Sequence, residues 1–202
     1  DGTAATVGII PISIMKTVLN PQPFYSPGDI VTFRLRMDIP SGDTRNIVFI
    51  DTFPLPVFDV TTISTVFGTD IRTAPGDTLG LTPTNILING PASELRIEWP
   101  DVSATSPEVI EVDVDAVITD DPFADGLFLT NIFEATTENT AGLQALSNTP
   151  VQILVGAPDL VITKGFSASD NTNASINPAP AVLPVDGDMT DADGGDQVSF
   201  VI

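Results

Sequence analysis

Hydrophobic and polar residues alternate along several segments of the chain, with the period of two that half-buried β-strands show. In the segment 29–38, the apolar face consists of Val31, Phe33, Leu35 and Met37. Segments 94–101 and 108–118 alternate in the same way. Further strand-like runs, apolar on both faces or mixed, lie at 45–53, 58–67, 85–89, 127–139 and 149–155.

Turn-forming clusters separate these runs. They read SPGD, PSGD, APGD, NGPAS and DDPFADG, combinations of Gly, Pro, Asp, Asn and Ser that favour tight turns. No window of useful length carries the apolar stripe of a helix. The pattern therefore predicts an all-β sandwich of seven to nine strands.

The chain also repeats itself imperfectly. Segment 26–35, SPGDIVTFRL, returns at 193–202 as DGGDQVSFVI, and segment 3–18 returns within 148–166. This register predicts three parts: 1–10 as the last strand of a preceding repeat, 11–157 as one complete repeat, and 158–202 as the first strands of the next, with an Asp-rich insertion. We expect either a longer parent protein or two open ends that complete each other between copies.

The amino-acid composition excludes several kinds of partner and active site. The formal net charge is −20, from 27 acidic and 7 basic residues, so we expect neither nucleic acid nor an anionic membrane surface as a partner. There is no Cys and no His, which excludes disulfides, thiolate catalysis, His-based triads and ordinary zinc sites. No apolar run approaches the roughly 20 residues of a membrane span, which predicts no membrane insertion.

The two lysines, Lys16 and Lys164, both interrupt apolar strand-like runs that follow a Pro. The period of two places Lys16 on the same face as Ile14 and Val18, which predicts that it points into the core. A buried ammonium without a partner is costly. Three outcomes follow: a buried ion pair, a neutral lysine, or covalent capture of the amine.

Four motifs in order resemble a known family. They are Lys in the first strand (IMKTV), PGD before the second, DTFP after the third, and LTN late in the chain. The chain resembles the DUF11-type conserved repeat, an immunoglobulin-like β-sandwich strung in tandem along large bacterial and archaeal surface proteins. That repeat is similar in turn to the fimbrial and adhesin domains that form intramolecular isopeptide bonds. The resemblance implies an immunoglobulin-like fold in tandem repeats and an extracellular, cell-surface location.

The isopeptide-forming relatives use a Lys on the first strand, an Asn on a late strand and an Asp that shuttles protons. The resemblance places these roles on Lys16, Asn131 and Asp51, as self-crosslink candidates rather than catalytic residues with turnover. One departure is visible: small residues follow the Asn in the relatives, whereas Ile132 and Phe133 follow it here. The alternative is a Lys16–Asp51 ion pair, with Asn131 as a hydrogen-bonded strand residue.

An acidic cluster in the Gly-rich insertion suits a hard cation. Its carboxylates are Asp186, Asp188, Asp191, Asp193 and Asp196. Oxygen ligands at alternate positions resemble the first half of an EF-hand loop, although the Glu at its twelfth position is absent. The alternatives are a Ca²⁺ site and a solvated acidic loop. A second, weaker cluster includes Asp113 and Asp115, which read as outward-facing strand positions.

The leading hypothesis is a non-catalytic structural repeat of an extracellular stalk, filament or adhesin, in contact with neighbouring repeats or copies of the same protein. Copies would join head to tail by strand complementation, with residues 3–10 of one copy completing the sheet of another. The alternative is a ligand- or glycan-binding adhesin module that uses the loops at one sandwich end. An enzyme is not expected, because no nucleophile–base pair or metal triad is recognisable.

Overall fold

The structure is a computed structural model, and it describes residues 11–119, 125–139, 142–147, 150–157, 165–173, 175–177, 188–190 and 197–201. The chain forms two compact units, Asp1–Ala157 and Pro158–Ile202. The assignment of 1–10 to a preceding repeat and of 158–202 to a following one stays a prediction. The described strands of the first unit are β1 Ser13–Val18, β2 Ile30–Ile39, β3 Gly42–Thr52, β4 Ile71–Thr73, β5 Asn85–Asn89, β6 Glu94–Glu98, β7 Val102–Ala104, β8 Glu108–Val117, β9 Leu127–Asn139, β10 Gly142–Ser147 and β11 Val151–Val155.

These strands form two sheets with one core between them. One sheet has the order β1-β2-β8-β4, and the other has the order β10-β9-β3-β6-β5, with β11 also paired to β9 and β7 to β3. Every pairing between these strands is antiparallel. The predicted all-β sandwich is confirmed. The described part of this unit has eleven strands rather than seven to nine, because the short strands β4 and β7 and the strand β10 were not predicted.

The core consists of the faces that strict alternation predicted to be buried. All four apolar residues of the β2 face have no exposed surface, and those of β6 and β8 are equally enclosed. Aromatic side chains fill the core: Phe33 of β2 is edge-on to Phe53, which follows β3 in the other sheet, and Phe49 of β3 is edge-on to Phe133 of the neighbouring strand β9. Because side chains alternate between the two faces of a strand, the apolar residues at every second position determine which face of each strand packs against the other sheet.

The prediction of a strand at 58–67 is wrong. Val60–Thr62 is a single turn of 3-10 helix, and the segment joins the sheets only by isolated bridges at Phe58 and Phe67. The cause is local: Asp59 Oδ1 accepts a hydrogen bond from the Thr61 N–H at 2.9 Å, which caps the turn. In the described ranges the only other helical segment is Gly90–Ala92, so no described helix is long enough to cross a membrane.

The edge of β8 beyond β4 is closed by a segment that is not itself a strand. The backbone N–H groups of Ala74 and Thr78 donate to the carbonyls of Glu111 and Val109. In return, the N–H of Val109 donates to Thr78 Oγ1 and the N–H of Glu111 donates to Asp77 Oδ1. Two side-chain oxygens thus act where a neighbouring strand would offer carbonyls, and β8 has no free backbone groups at these two positions.

The second unit is described in part. Strand β12, Gly165–Ser169, pairs antiparallel with β15, Val198–Val201, and β13, Ser175–Asn177, pairs antiparallel with β14, Asp188–Thr190.

Candidate functional site

Lys16 lies in the core, as the period of two predicts. Its side chain has 0% exposed surface, and the side chain of Asp51 on β3 has 1%. The Lys16 Nζ donates a hydrogen bond to Asp51 Oδ1 at 2.5 Å. Because β1 and β3 belong to opposite sheets, this contact crosses the sandwich.

Two aromatic rings surround the Lys16 amine. Its Nζ lies 4.2 Å from the ring centroid of Phe33 and 5.3 Å from that of Phe53. The faces of aromatic rings attract a cation, but they offer no hydrogen-bond acceptor comparable with a carboxylate. The amine therefore has one strong acceptor and an otherwise apolar environment.

Asn131 lies on the same inner face as Asp51. In the β3–β9 register Asp51 is opposite Phe133, so Asn131 is its diagonal neighbour, one step of two residues along β9. Diagonal neighbours lie roughly 7–8 Å apart between Cα atoms. Asn131 is buried, and neither its Oδ1 nor its Nδ2 has a hydrogen-bond partner. Asp51 Oδ2 is also without a partner.

Burial shifts the pKa values of both Lys16 and Asp51 in the direction that favours the neutral form of each group. Desolvation lowers the pKa of Lys16 from 10.5 to about 8, against the opposing effect of Asp51. Desolvation also raises the pKa of Asp51 above its usual range, against the opposing effect of Lys16. A proton can therefore pass from the ammonium to the carboxylate, giving a nucleophilic amine beside a carboxylic acid.

The residues that depart from the relatives' pattern leave this face intact. Ile132 points outward and is partly exposed, whereas Phe133 is fully buried and packs against Phe49. Ile132, which directly follows Asn131, therefore lies outside the core, and Phe133 is part of it. The structure brings Lys16 and Asp51 into contact and places Asn131 one diagonal step away, while β1 and β9 approach each other across the sandwich.

Sequence reasoning missed one buried residue near this site. Ser93, in the turn cluster NGPAS, has no exposed surface and a left-handed backbone with φ of 52°. Its Oγ has no hydrogen-bond partner. The sequence signal would have been the single small polar residue directly before the apolar alternation of β6, which reads as an ordinary loop position.

The second acidic cluster is built from ion pairs. Asp113 accepts two hydrogen bonds from Arg34, at 2.8 and 3.1 Å, and Asp115 accepts two from Arg72, at 2.7 and 3.2 Å. Asp113 lies on the outer face of its sheet but is buried there, and so is Glu111, beside Arg36 and the N–H of Gly76. Asp113 therefore faces outward, as the alternation predicts, but it is buried and paired with Arg34.

The proposed calcium ligands fall largely outside the described residues. Asp186, Asp191, Asp193 and Asp196 lie there, as does Lys164, and only the backbone of Asp188 is described, within β14. Within the described ranges no group of three or more acidic side chains is arranged to hold a metal ion.

Comparison with known proteins identifies the fold. No protein-family model matches the chain, and no curated protein matches it. The chain is similar to the full-length major pilin SpaD from Corynebacterium diphtheriae, with a TM-score of 0.50 and 16% identity, over 70% of this chain and 35% of that one. It is also similar to the 35 kDa C-terminal fragment of the major pilin GBS80 of Streptococcus agalactiae, with a TM-score of 0.50 and 13% identity, over 78% of this chain and 58% of that one.

A third similar structure is the C-terminal domain of the Streptococcus pyogenes antigen I/II-family protein AspA. Its TM-score is 0.52 and its identity 13%, over 77% of this chain and 55% of that one. The chain spans less than two thirds of each of these three proteins. At such low identity the likeness concerns the fold, and the DUF11-type assignment stays a prediction. The chain has the immunoglobulin-like β-sandwich fold found in pilin domains.

Proposed function

We propose that this chain is a non-catalytic structural part of an extracellular surface protein, a stalk or a filament, and that an isopeptide bond between Lys16 and Asn131 locks its first unit. The observation that carries the proposal is the buried Lys16–Asp51 pair beside an Asn131 amide whose two polar atoms have no partner. The pilin-like fold supports the structural class.

The chemistry follows from the three side chains. Once a proton has passed from Lys16 to Asp51, the neutral Nζ attacks the Asn131 side-chain carbonyl carbon, and the acid form of Asp51 polarises the carbonyl oxygen. A new Nζ–Cγ bond forms, the Cγ–Nδ2 bond breaks, and Nδ2 leaves as ammonia after taking up one proton from the lysine nitrogen, while Asp51 keeps the proton it received first. The product has no buried charge and no unpaired primary amide.

The bond would connect distant parts of the unit. Lys16 lies on β1, in one sheet, and Asn131 lies on β9, in the other. A covalent link between them would keep the two sheets together when the chain is pulled, because the residues between the two positions would be bypassed. A surface stalk or filament is where such resistance is useful.

The intact mass of the purified chain tests the crosslink. We expect the parent chain to be lighter than its sequence by one ammonia, and the variants Lys16→Ala, Asp51→Ala and Asn131→Ala to match their sequences. Peptide mapping should then recover one branched peptide that joins the segments around Lys16 and Asn131. Asn85→Ala, at an exposed strand position, is the matched control and should keep the deficit.

A parent mass equal to the sequence would refute the isopeptide bond. A deficit that persists in Lys16→Ala would also refute it, because the ammonia would then come from another reaction.

Head-to-tail strand complementation is a further part of the proposal. The donor is the apolar segment 3–10, which lies outside the described residues, and the acceptor is the β1 edge, at the end of its sheet. Light scattering after size exclusion should show assemblies that grow with concentration, and a chain without residues 1–10 should stay monomeric. Monomers at every concentration would refute this mode of assembly.

Calcium binding by the Asp-rich insertion is likewise a proposal from the sequence. Calorimetric titration of the whole chain with Ca²⁺ should release or absorb heat that disappears when Asp188 and Asp191 are both replaced by Asn. An absence of heat in the parent chain would leave the insertion as a solvated acidic loop.

One observation favours the alternative of a ligand-binding module. A groove of about 350 Å³ opens between loops at one end of the sandwich, lined among others by Leu55, Phe58 and Thr119. The side chain of Leu55 beside it is 59% exposed. Binding to a glycan array that is lost in Leu55→Asp would support this function, and equal binding by the variant would refute it.

A further inference from the structure

Four unpaired polar atoms in the core belong to three neighbouring residues. In the described part of the chain, five buried side-chain nitrogen or oxygen atoms have no hydrogen-bond partner. One is the Trp99 Nε1, and the other four are Asp51 Oδ2, Asn131 Oδ1, Asn131 Nδ2 and Ser93 Oγ. Asp51 and Asn131 belong to the proposed crosslink, and the third residue is Ser93.

Ser93 lies beside Asp51 on the side opposite Asn131. In the β3–β6 register Asp51 is opposite Leu95, and the Phe53 N–H donates to the Ser93 carbonyl, which continues that register by two residues. Ser93 is therefore a diagonal neighbour of Asp51, as Asn131 is across β9. Ser93 and Asn131 thus flank β3 on its two sides, each one step of two residues beyond the residue directly opposite Asp51.

The backbone of Ser93 is strained. Among the described residues other than glycine, Asn46 and Ser93 alone have a positive φ. Asn46 is a residue type that tolerates this conformation; it is exposed, and its side chain donates to Glu138. Ser93 caps the Gly90–Ala92 turn through its backbone N–H, but its side chain is fully buried and the hydroxyl is unpaired, so no hydrogen bond explains why a serine stands where a glycine would fit. Strain retained at a buried position commonly marks a functional site.

We propose that Ser93 is a positioning residue for the crosslink: its hydroxyl, which has no partner in the structure, turns to donate a hydrogen bond to the equally unpaired Asp51 Oδ2 and so holds the carboxyl with Oδ1 toward Lys16 and Oδ2 toward Asn131. The inference rests on the proposed isopeptide bond. In the acid form, Oδ2 can accept from Ser93 while its own hydrogen is donated to the Asn131 carbonyl oxygen. The Ser93 hydrogen bond makes that donor stronger and prevents the carboxyl from turning away.

The role also has a pH signature. The charged group that acts on Asp51 is Lys16, on β1. The ionisable residues beside the site on β6 and β9, Glu94, Arg96 and Glu134, lie at alternate positions that face outward. A hydroxyl that donates to Asp51 favours its ionised form. Without this hydroxyl, the doubly protonated and unreactive Lys16–Asp51 pair persists to higher pH.

The test is the rate of ammonia loss by chains made in a cell-free system, moved to a range of pH values and quenched at intervals for intact mass. We expect Ser93→Ala and Ser93→Gly each to slow the reaction at least tenfold and to move its acid limb to higher pH. Ser93→Cys, which keeps a weak donor, should be intermediate. Ser103→Ala, at an exposed position of β7, should react like the parent.

The glycine variant separates chemistry from folding. Glycine relieves the left-handed strain, so Ser93→Gly should unfold at a temperature at least as high as an uncrosslinked Asn131→Ala chain, and slow crosslinking in it cannot be ascribed to misfolding. A parent rate and pH profile in Ser93→Gly and Ser93→Ala would overturn the role of Ser93 and leave the crosslink standing. No ammonia loss in the parent chain would instead overturn the crosslink itself.

Discussion

Replacing Lys16 by Met should destabilise the first unit by about 3–5 kcal/mol, the cost of removing one partner from a buried ion pair. The change is best made in an Asn131→Ala chain, where no crosslink can form. Met fills most of the space of the lysine stem, so the loss comes from Asp51, which is 1% exposed and keeps no charged partner. Because desolvation already raises the pKa of Asp51, the carboxyl can take up a proton, and we expect the lower end of that range.

Equilibrium unfolding in urea, followed by Trp99 fluorescence, measures this loss. The matched control is Arg45→Met in the same background, since Arg45 and Asp101 form a pair at 4.0 Å with both side chains 64% exposed. An exposed pair contributes less than about 1 kcal/mol. The double variant Lys16→Met/Asp51→Leu should regain most of the stability, because it leaves no buried charge. A Lys16→Met loss as small as that of Arg45→Met would refute the buried pair.

Three further outcomes are expected. Asn131→Ala should lose roughly 4–5 kcal/mol relative to the crosslinked parent, because the bond closes a loop of about 115 residues; equal thermal midpoints would contradict this. In the Asn131→Ala variant, the free energy of unfolding should rise by up to roughly 3 kcal/mol between pH 8 and 10.5. In this range Lys16 keeps its proton in the unfolded chain but has released it in the folded chain. Lys16→Met should abolish the rise. Gly76→Ala should lower the free energy of unfolding in urea by about 1–3 kcal/mol, because its Cβ would overlap the Glu111 carboxylate, which accepts a hydrogen bond from the Gly76 N–H. A decrease under about 0.5 kcal/mol would contradict this contact.

The strands whose alternation is strict were predictable from the sequence. The period of two identified the buried face of β2 and also placed Lys16 in the core, because it depends only on backbone geometry. The strand predicted at 58–67 was wrong because this segment has no strict alternation, and the prediction there depended on residue propensity. Its β-branched residues favour a strand, but Asp59 caps a helical turn, and a local hydrogen bond outweighed the propensity.

The site was predictable only in part. Resemblance to a family selected Lys16, Asp51 and Asn131, whereas alternation alone gives no register between strands of opposite sheets. The burial of Ser93 could not be predicted from the sequence, because a polar residue in a turn cluster is usually exposed, and only the tertiary structure shows that Ser93 is covered. Asp113 faces outward as predicted, but alternation could not show that it is buried there beside a paired Arg34.

The closed edge of β8 bears on how such chains behave when crowded. The unpaired backbone N–H and C=O groups of an edge strand can form hydrogen bonds with an edge strand of another molecule, which leads to aggregation. Here the acceptors for the Val109 and Glu111 N–H groups are the side chains of Thr78 and Asp77, which present no continuing ladder to a second molecule. When many copies are crowded together, this stretch of the β8 edge cannot pair with a strand of another molecule. The edge strands of this sheet are then the six-residue β1 and the three-residue β4, so we expect an added strand to pair with the longer β1.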